Sequence, residues 1–221
     1  MPVLHHAAHI AALCLAISLG PLFMGAAKAY DLSGGIGLTS DYIWRGNTQS
    51  SGDASISGSV KLAFDNGASM GVWAGSLGQS ANNNPNYELN IFAAYNGMFD
   101  QLAYEAGIIA YHYPGVDGRQ RDATDIYGRI GFGPLSASYY YQARAENDAL
   151  EDESAQYASL DAALPLVDGW FVGLHAGLEF YDMLDSDEDF ALSLNKDSFT
   201  LTASQDEGED TRVSVSWGVR Y

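Results

Sequence analysis

The sequence predicts an all-β fold, a transmembrane antiparallel up-and-down β-barrel of about 12 strands, the even count usual for such barrels. Three observations predict it. Apolar and polar residues alternate with period two through most of the chain after residue 29, the mark of strands with one face in each environment. The connections between these segments are alternately short and long, as the turns and outer loops of membrane barrels are. Finally, Val213, Val215, Trp217, Val219 and Tyr221 share one face of the last segment, while Arg212, Ser214, Ser216, Gly218 and Arg220 share the other. A secreted β-sandwich would also show many short strands with turn signals. Nothing in a sandwich requires long and short connections to alternate.

Residues 1–29 read as a signal peptide and 30–221 as the barrel. The apolar run Ala11 to Ile17 is followed by Ala27-Lys28-Ala29, a small-x-small cleavage signature, although His5, His6 and His9 stand where Lys or Arg is usual. A membrane anchor would need about 18 to 20 uninterrupted apolar residues, and Ser18, Gly20 and Pro21 interrupt this run. Cys14 is the sole cysteine and lies in the discarded segment, which excludes disulfides, cysteine nucleophiles and Cys-metal sites from the exported chain. No later segment has the length of a transmembrane helix. A membrane crossing must therefore be made by strands.

In order, the first strand contains Gly37 to Gln49, where Leu38, Tyr42 and Trp44 oppose Asp41 and Arg45. Ser55 to Phe64 follows, with Asp65-Asn66-Gly67 as a tight hairpin turn into Ala68 to Leu77. A polar linker, Gln79 to Asn86, leads to Tyr87 to Tyr95, and a short turn at Asn96 to Asp100 leads to Leu102 to Tyr113. Thr124 to Phe132 and Leu135 to Ala143 are joined by Gly133-Pro134, and the acidic segment Arg144 to Glu153 precedes Ser154 to Leu164. Pro165 to Gly169 turns into Trp170 to Tyr181, and the acidic linker Asp182 to Asp189 follows. The last three strands are Phe190 to Leu194, Ser198 to Ser204 and Thr211 to Tyr221.

The polar face carries Asp41, Glu88, Glu105, Asp125, Asp161 and Glu179 against Arg45, Lys61, Arg129, Arg144, Arg212 and Arg220, so a nearly neutral charged lumen is expected. The exported chain has 28 acids against 9 bases once Lys28 is removed, and most of the excess falls in the longer connections. Solvation of the outer rim explains these acids. The sharper reading has them gather divalent cations, as bridges to lipopolysaccharide or as a field at a pore mouth. Asp182 to Asp189 has oxygen ligands for Ca²⁺ but lacks the spacing and glycine of an EF-hand loop, so no metal or cofactor is assigned. Tyr42, Trp44, Tyr87, Tyr95, Trp170, Trp217 and Tyr221 are expected in aromatic girdles. Expected partners are outer-membrane lipids and lipopolysaccharide, and the barrel-assembly machinery. The chain lacks the basic patch that nucleic acid requires.

A lipid-modifying barrel enzyme would need a nucleophile, a base and an orienting acid within reach of one another. His112 reads as an interfacial residue at a rim. His175 lies four residues from Glu179, about 13 Å along a strand, so no His-carboxylate dyad can be read within that strand. The polar face is rich in Ser, Thr and Gly, which favours a hydrated lumen, whereas six opposite-charge pairs could close one.

Gly37-Leu38-Thr39-Ser40-Asp41-Tyr42, Arg45-Gly46 and Gln49, with Gly71-Val72-Trp73-Ala74, Tyr113-Pro114-Gly115 and Tyr139-Tyr140-Tyr141, resemble the proteobacterial Gcw_chp family over essentially the whole exported chain. The resemblance implies an exported outer-membrane barrel and supplies no catalytic residues. The leading expectation is a narrow passive channel for small solutes or cations in the bacterial outer membrane. The alternatives are a non-conducting structural or surface-binding barrel and, behind both, a lipid-modifying enzyme. Closure of the first strand on the last is expected to bring Asp41 against Arg212 inside the lumen.

Overall fold

The structure, a computed structural model, describes residues 30–78, 87–114, 122–145, 155–180 and 186–221. Residues 1–29, on which the expected signal peptide falls, and parts of the longer connections lie outside the described residues. The strands are β1 (Tyr30–Thr39), β2 (Ile43–Trp44), β3 (Asn47–Thr48), β4 (Ser55–Phe64), β5 (Ala68–Ser76), β6 (Tyr87–Phe99) and β7 (Leu102–His112). They continue with β8 (Ala123–Phe132), β9 (Leu135–Ala145), β10 (Gln156–Pro165), β11 (Phe171–Phe180), β12 (Asp187–Lys196), β13 (Phe199–Asp206) and β14 (Arg212–Arg220). All except the two-residue β2 and β3 join one closed antiparallel barrel, in which β1 pairs with β4 on one side and β14 on the other. Closure leaves no unpaired edge, which a sheet surrounded by hydrocarbon cannot tolerate.

The period-two pattern explains the two surfaces. Across the closing seam Ile36 lies opposite Val219 and Leu38 opposite Trp217, and on the other side Leu38 lies opposite Ile56. These side chains point away from the lumen, and Ile36, Leu38 and Ile56 are exposed. The alternate positions turned inward are chiefly Ser, Thr, Gly and charged residues, among which Ser33, Glu88, Asn90, Asp125, Ser159, Thr200 and Ser214 are buried, together with the larger Trp73, Phe92, Ile109, Tyr111 and Tyr157. An apolar outer surface around a polar interior is the build of a transmembrane β-barrel.

β4 has the bounds expected for it, while β6 runs on to Phe99 and β12 begins at Asp187, within the expected acidic linker. Hydrogen-bonded pairing continues past the apolar positions that mark a strand in sequence, so polarity alone shortens these elements.

Two differences matter for the lumen. The first strand ends at Thr39, and the stretch expected to continue it turns inward. A strand from Tyr30 to Gln49 would be about twice the 9 to 11 residues that cross a bilayer. The second is a register shift between Thr124 and Asp125, where Asp125 faces Gln142 but Thr124 faces Arg144. The additional residue on β9 reverses the alternation there. Arg144, expected in the lumen, therefore shares the outward face with Thr124 and is exposed.

Candidate functional site

The segment between β1 and β4 is built to fold inward. At Arg45 (φ 49°) and Gly46 (φ 77°) the chain takes two successive left-handed conformations, the backbone of a tight hairpin turn, and Trp44 pairs with Asn47 across it. The base of the segment is tied by its own side chains. Ser50 Oγ accepts the Tyr42 N–H at 2.8 Å and donates to the Asp53 carbonyl at 2.6 Å, and Thr48 Oγ1 donates to Asp41 Oδ1 at 2.5 Å. Gln49 N–H reaches the Tyr42 carbonyl at 2.6 Å, and Ser40 N–H the Val215 carbonyl of β14 at 2.9 Å.

This fold-back takes Tyr42 and Trp44 out of the expected girdle. Tyr42 is buried, with its ring 5.5 Å from that of Trp73 and its hydroxyl donating to Glu88 Oε2 at 3.1 Å. Trp44 packs against Tyr111, with ring centroids 5.8 Å apart. Both aromatics face inward because the chain reverses before it can continue as an outer strand. Asp41 is likewise buried by the segment's own hydroxyls and forms no ion pair with Arg212, which among the described residues reaches Glu209 at 3.9 Å.

Arg45 is the centre of the assembly. Its Nη1 donates to Glu179 Oε1 at 2.8 Å, and Nη2 lies 3.5 Å from Asp125 Oδ2. The guanidinium carbon is 4.2 Å from the ring centre of Trp44 and 4.1 Å from that of Tyr157, with Tyr140 at 5.5 Å. One loop residue thus binds β8, β9, β10 and β11 together across the lumen. Its side chain is only 11% exposed, so the charge depends on these partners instead of bulk water.

A second cluster adjoins it. His175 Nδ1 lies 2.6 Å from Asp161 Oδ1, and Nε2 lies 3.0 Å from Asp189 Oδ1. The Tyr157 hydroxyl is 2.8 Å from Nε2 and donates to Asp189 Oδ2 at 2.9 Å. Within-strand spacing hides this arrangement, because His175 finds its acids on β10 and β12. Asp161 is its direct register partner, and that pairing was legible from the short β10–β11 connection. Asp189 was missed because it read as loop acid. Both ring nitrogens are occupied by carboxylates, so His175 has no free nitrogen with which to activate a serine.

The remaining sequence candidates are placed by register. Glu105 faces Arg129 across β7 and β8, with Tyr127 donating to Glu105 at 3.1 Å and Arg129 to the Tyr140 hydroxyl at 3.2 Å. Lys61 pairs with Ser33, Arg212 with Ser204 and Arg220 with Gly35, all on the lumen face. Outside, Tyr87, Tyr95 and Tyr221 are exposed, Trp217 lies opposite Phe199, and Trp170 has Lys196 Nζ 5.1 Å from its ring centre. His112 Nδ1 hydrogen-bonds the Asp122 carboxylate at the end of β7. Among the described residues, no group of three or more His, Cys, Asp or Glu side chains is placed to hold a metal ion.

The family described as "Bacterial protein of unknown function (Gcw_chp)" matches residues 24–216. The chain belongs to the Gcw_chp family. No curated protein matches this Gcw_chp chain in sequence. Among solved structures it is similar in fold to the KdgM porin, with a TM-score of 0.53 at 12% identity, over 86% of this chain and 99% of that one. The KdgM porin in complex with disordered oligogalacturonate gives 0.54 at 12% identity, with the same coverage. A structure described under "Unveiling the Mechanism Behind the in-meso Crystallization of Membrane Proteins" gives 0.54 at 10% identity, over 86% of this chain and 83% of that one. The Gcw_chp barrel is thus porin-like in architecture.

Proposed function

We propose that this barrel is a narrow passive channel of the bacterial outer membrane, reached by export with residues 1–29 as signal peptide, and that it passes small cations in preference to anions. The observation that carries the reading is the hairpin of β2 and β3, which folds into a barrel interior where buried polar and charged side chains stand beside a small apolar cluster of Phe92, Ile109 and Tyr111. The charge around the hairpin supports the cation preference. Glu88, Glu105, Asp125, Asp161, Glu179 and Asp189 face inward there, against Arg45, Arg129 and His175. Charges of one sign in a confined aqueous path raise the local concentration of counter-ions. The outer apolar face sits among membrane lipids, with the acidic connections meeting lipopolysaccharide through divalent cations.

Protein refolded into a planar bilayer is expected to give discrete conductance steps and, in a KCl gradient, a reversal potential of the sign set by K⁺. A barrel that inserts and passes no current overturns the channel and leaves the non-conducting surface barrel. Steps with a chloride-driven reversal potential overturn only the cation preference.

A further inference from the structure

Arg45 is held as a ligand is held. It enters from a turn, reaches across the lumen, and ends in a cage whose members other than Trp44 all stand on the barrel wall: Asp125 of β8, Tyr140 of β9, Tyr157 of β10 and Glu179 of β11. Two carboxylates on separate strands meet the two terminal nitrogens, and aromatic rings lie within cation–π range of the central carbon. The four wall residues stand on neighbouring strands, and register places them on the same face of the wall whether or not the hairpin is seated. Asp125 is a buried carboxylate hydrogen-bonded by Tyr111, and among the described residues Arg45 is the one cation within ion-pair distance of it, Arg129 being turned to Tyr140.

We propose that this cage is a binding site for cationic solutes bearing a guanidinium or primary ammonium group, and that Arg45 is a tethered occupant which such a solute displaces as it passes. The proposal rests on the channel reading for its transport half only. A planar guanidinium matches the cage best, because one donor edge serves each carboxylate while the flat faces lie toward the rings. An anionic solute would meet two carboxylates at the same point and is excluded.

The test vacates the cage. Folded Arg45→Ala barrel in detergent micelles, with folding verified by heat-modifiable gel mobility, is titrated calorimetrically with methylguanidinium and with methylurea, its neutral isostere. Saturable binding of methylguanidinium alone is expected. It should weaken about tenfold or more when Asp125→Asn and Glu179→Gln are added, since both charge-assisted bonds are then lost. Equal heats for the two compounds, or no binding by the folded variant, overturn the site. A second measurement needs no variant: wild-type proteoliposomes are compared for arginine and citrulline uptake, and equal rates overturn the displacement of Arg45. Methylguanidinium binding by the variant, together with a wild-type barrel that passes no ion, would keep the site and remove the channel. Conduction without that binding would do the reverse.

Discussion

The two halves of the barrel wall differ in what they present to the lumen. From β5 to β12 the inward positions include large or charged residues, Trp73, Glu88, Tyr111, Asp125, Tyr140, Tyr157, His175 and Glu179, set among small ones such as Ser138 and Ser159, and most of the large ones touch the hairpin or one another. From β13 through β14 and β1 to β4 the inward positions are chiefly Thr, Ser and Gly, which bond mainly within the wall. Ser216 Oγ donates to Thr39 Oγ1 at 3.1 Å, and Ser33 Oγ donates to the Lys61 carbonyl at 3.1 Å. A Cβ built on Gly37 would meet only Ser57 and the Trp217 carbonyl, and one on Gly218 only the Ile36 carbonyl. The hairpin therefore leans on the large-residue half, meeting the small-residue half at its outer end, where Asn47 donates to Asp206 at 2.9 Å. The difference teaches where room for an aqueous path would have to lie: along the small-residue wall, beside a hairpin anchored on the opposite one.

Removing the anchor should have the largest effect. Arg45→Ala leaves Asp125 and Glu179 without their shared cation, and breaking a buried pair from one side costs about 3 kcal/mol or more. Urea unfolding followed by tryptophan fluorescence should show that loss, with single-channel conductance rising in the same variant. Unchanged stability and conductance would mean that the two halves do not differ as described.

Strand positions were legible in the sequence because lipid and lumen impose opposite demands on alternate residues, as Ile56 and Ser57 show, and turn chemistry at Asp65-Asn66-Gly67 marks the register. The hairpin was hidden for the same reason. Tyr42 and Trp44 alternate with Asp41 and Arg45 whether the chain continues as a barrel strand or doubles back, so periodicity could not separate the two. Strand length could have: a crossing that starts at Tyr30 is complete near Thr39. The His175 cluster depended on cross-strand partners, which spacing within one strand cannot report. Arg144 was misplaced by the one added residue of a bulge that carries no composition signal of its own.

The seat of the hairpin provides a smaller perturbation that leaves every charge in place. Gly46 lies at φ 77°, and a Cβ there would stand 2.9 Å from the Asp206 Cβ and 3.0 Å from that of Asp189. Gly46→Ala therefore combines a strained backbone with a close approach to β12 and β13, at a cost of about 1 to 3 kcal/mol. Partial withdrawal of the hairpin should follow, seen as a noisier and larger single-channel current at unchanged ion selectivity. A current indistinguishable from wild type would show that Gly46 is not what lets the hairpin sit.

The smallest stability change is expected where the wall is open, and there the change in current is the informative quantity. Ser216 faces the lumen between Thr39 and Thr200, on the half that the hairpin leaves uncovered. Ser216→Trp enlarges a half-buried position among small neighbours and gives up one bond to Thr39, so stability should move by no more than about 1 kcal/mol. If the aqueous path follows this wall, conductance should fall about twofold or more, because the added ring occupies the path itself. The paired control is Ala163→Trp on the opposite half, where the native side chain is already buried. There the ring has no open space to enter, so the expected outcome is misfolding or strain, not a clean narrowing. A Ser216→Trp barrel with full conductance would place the water path on the hairpin's side and reverse the assignment of the two halves.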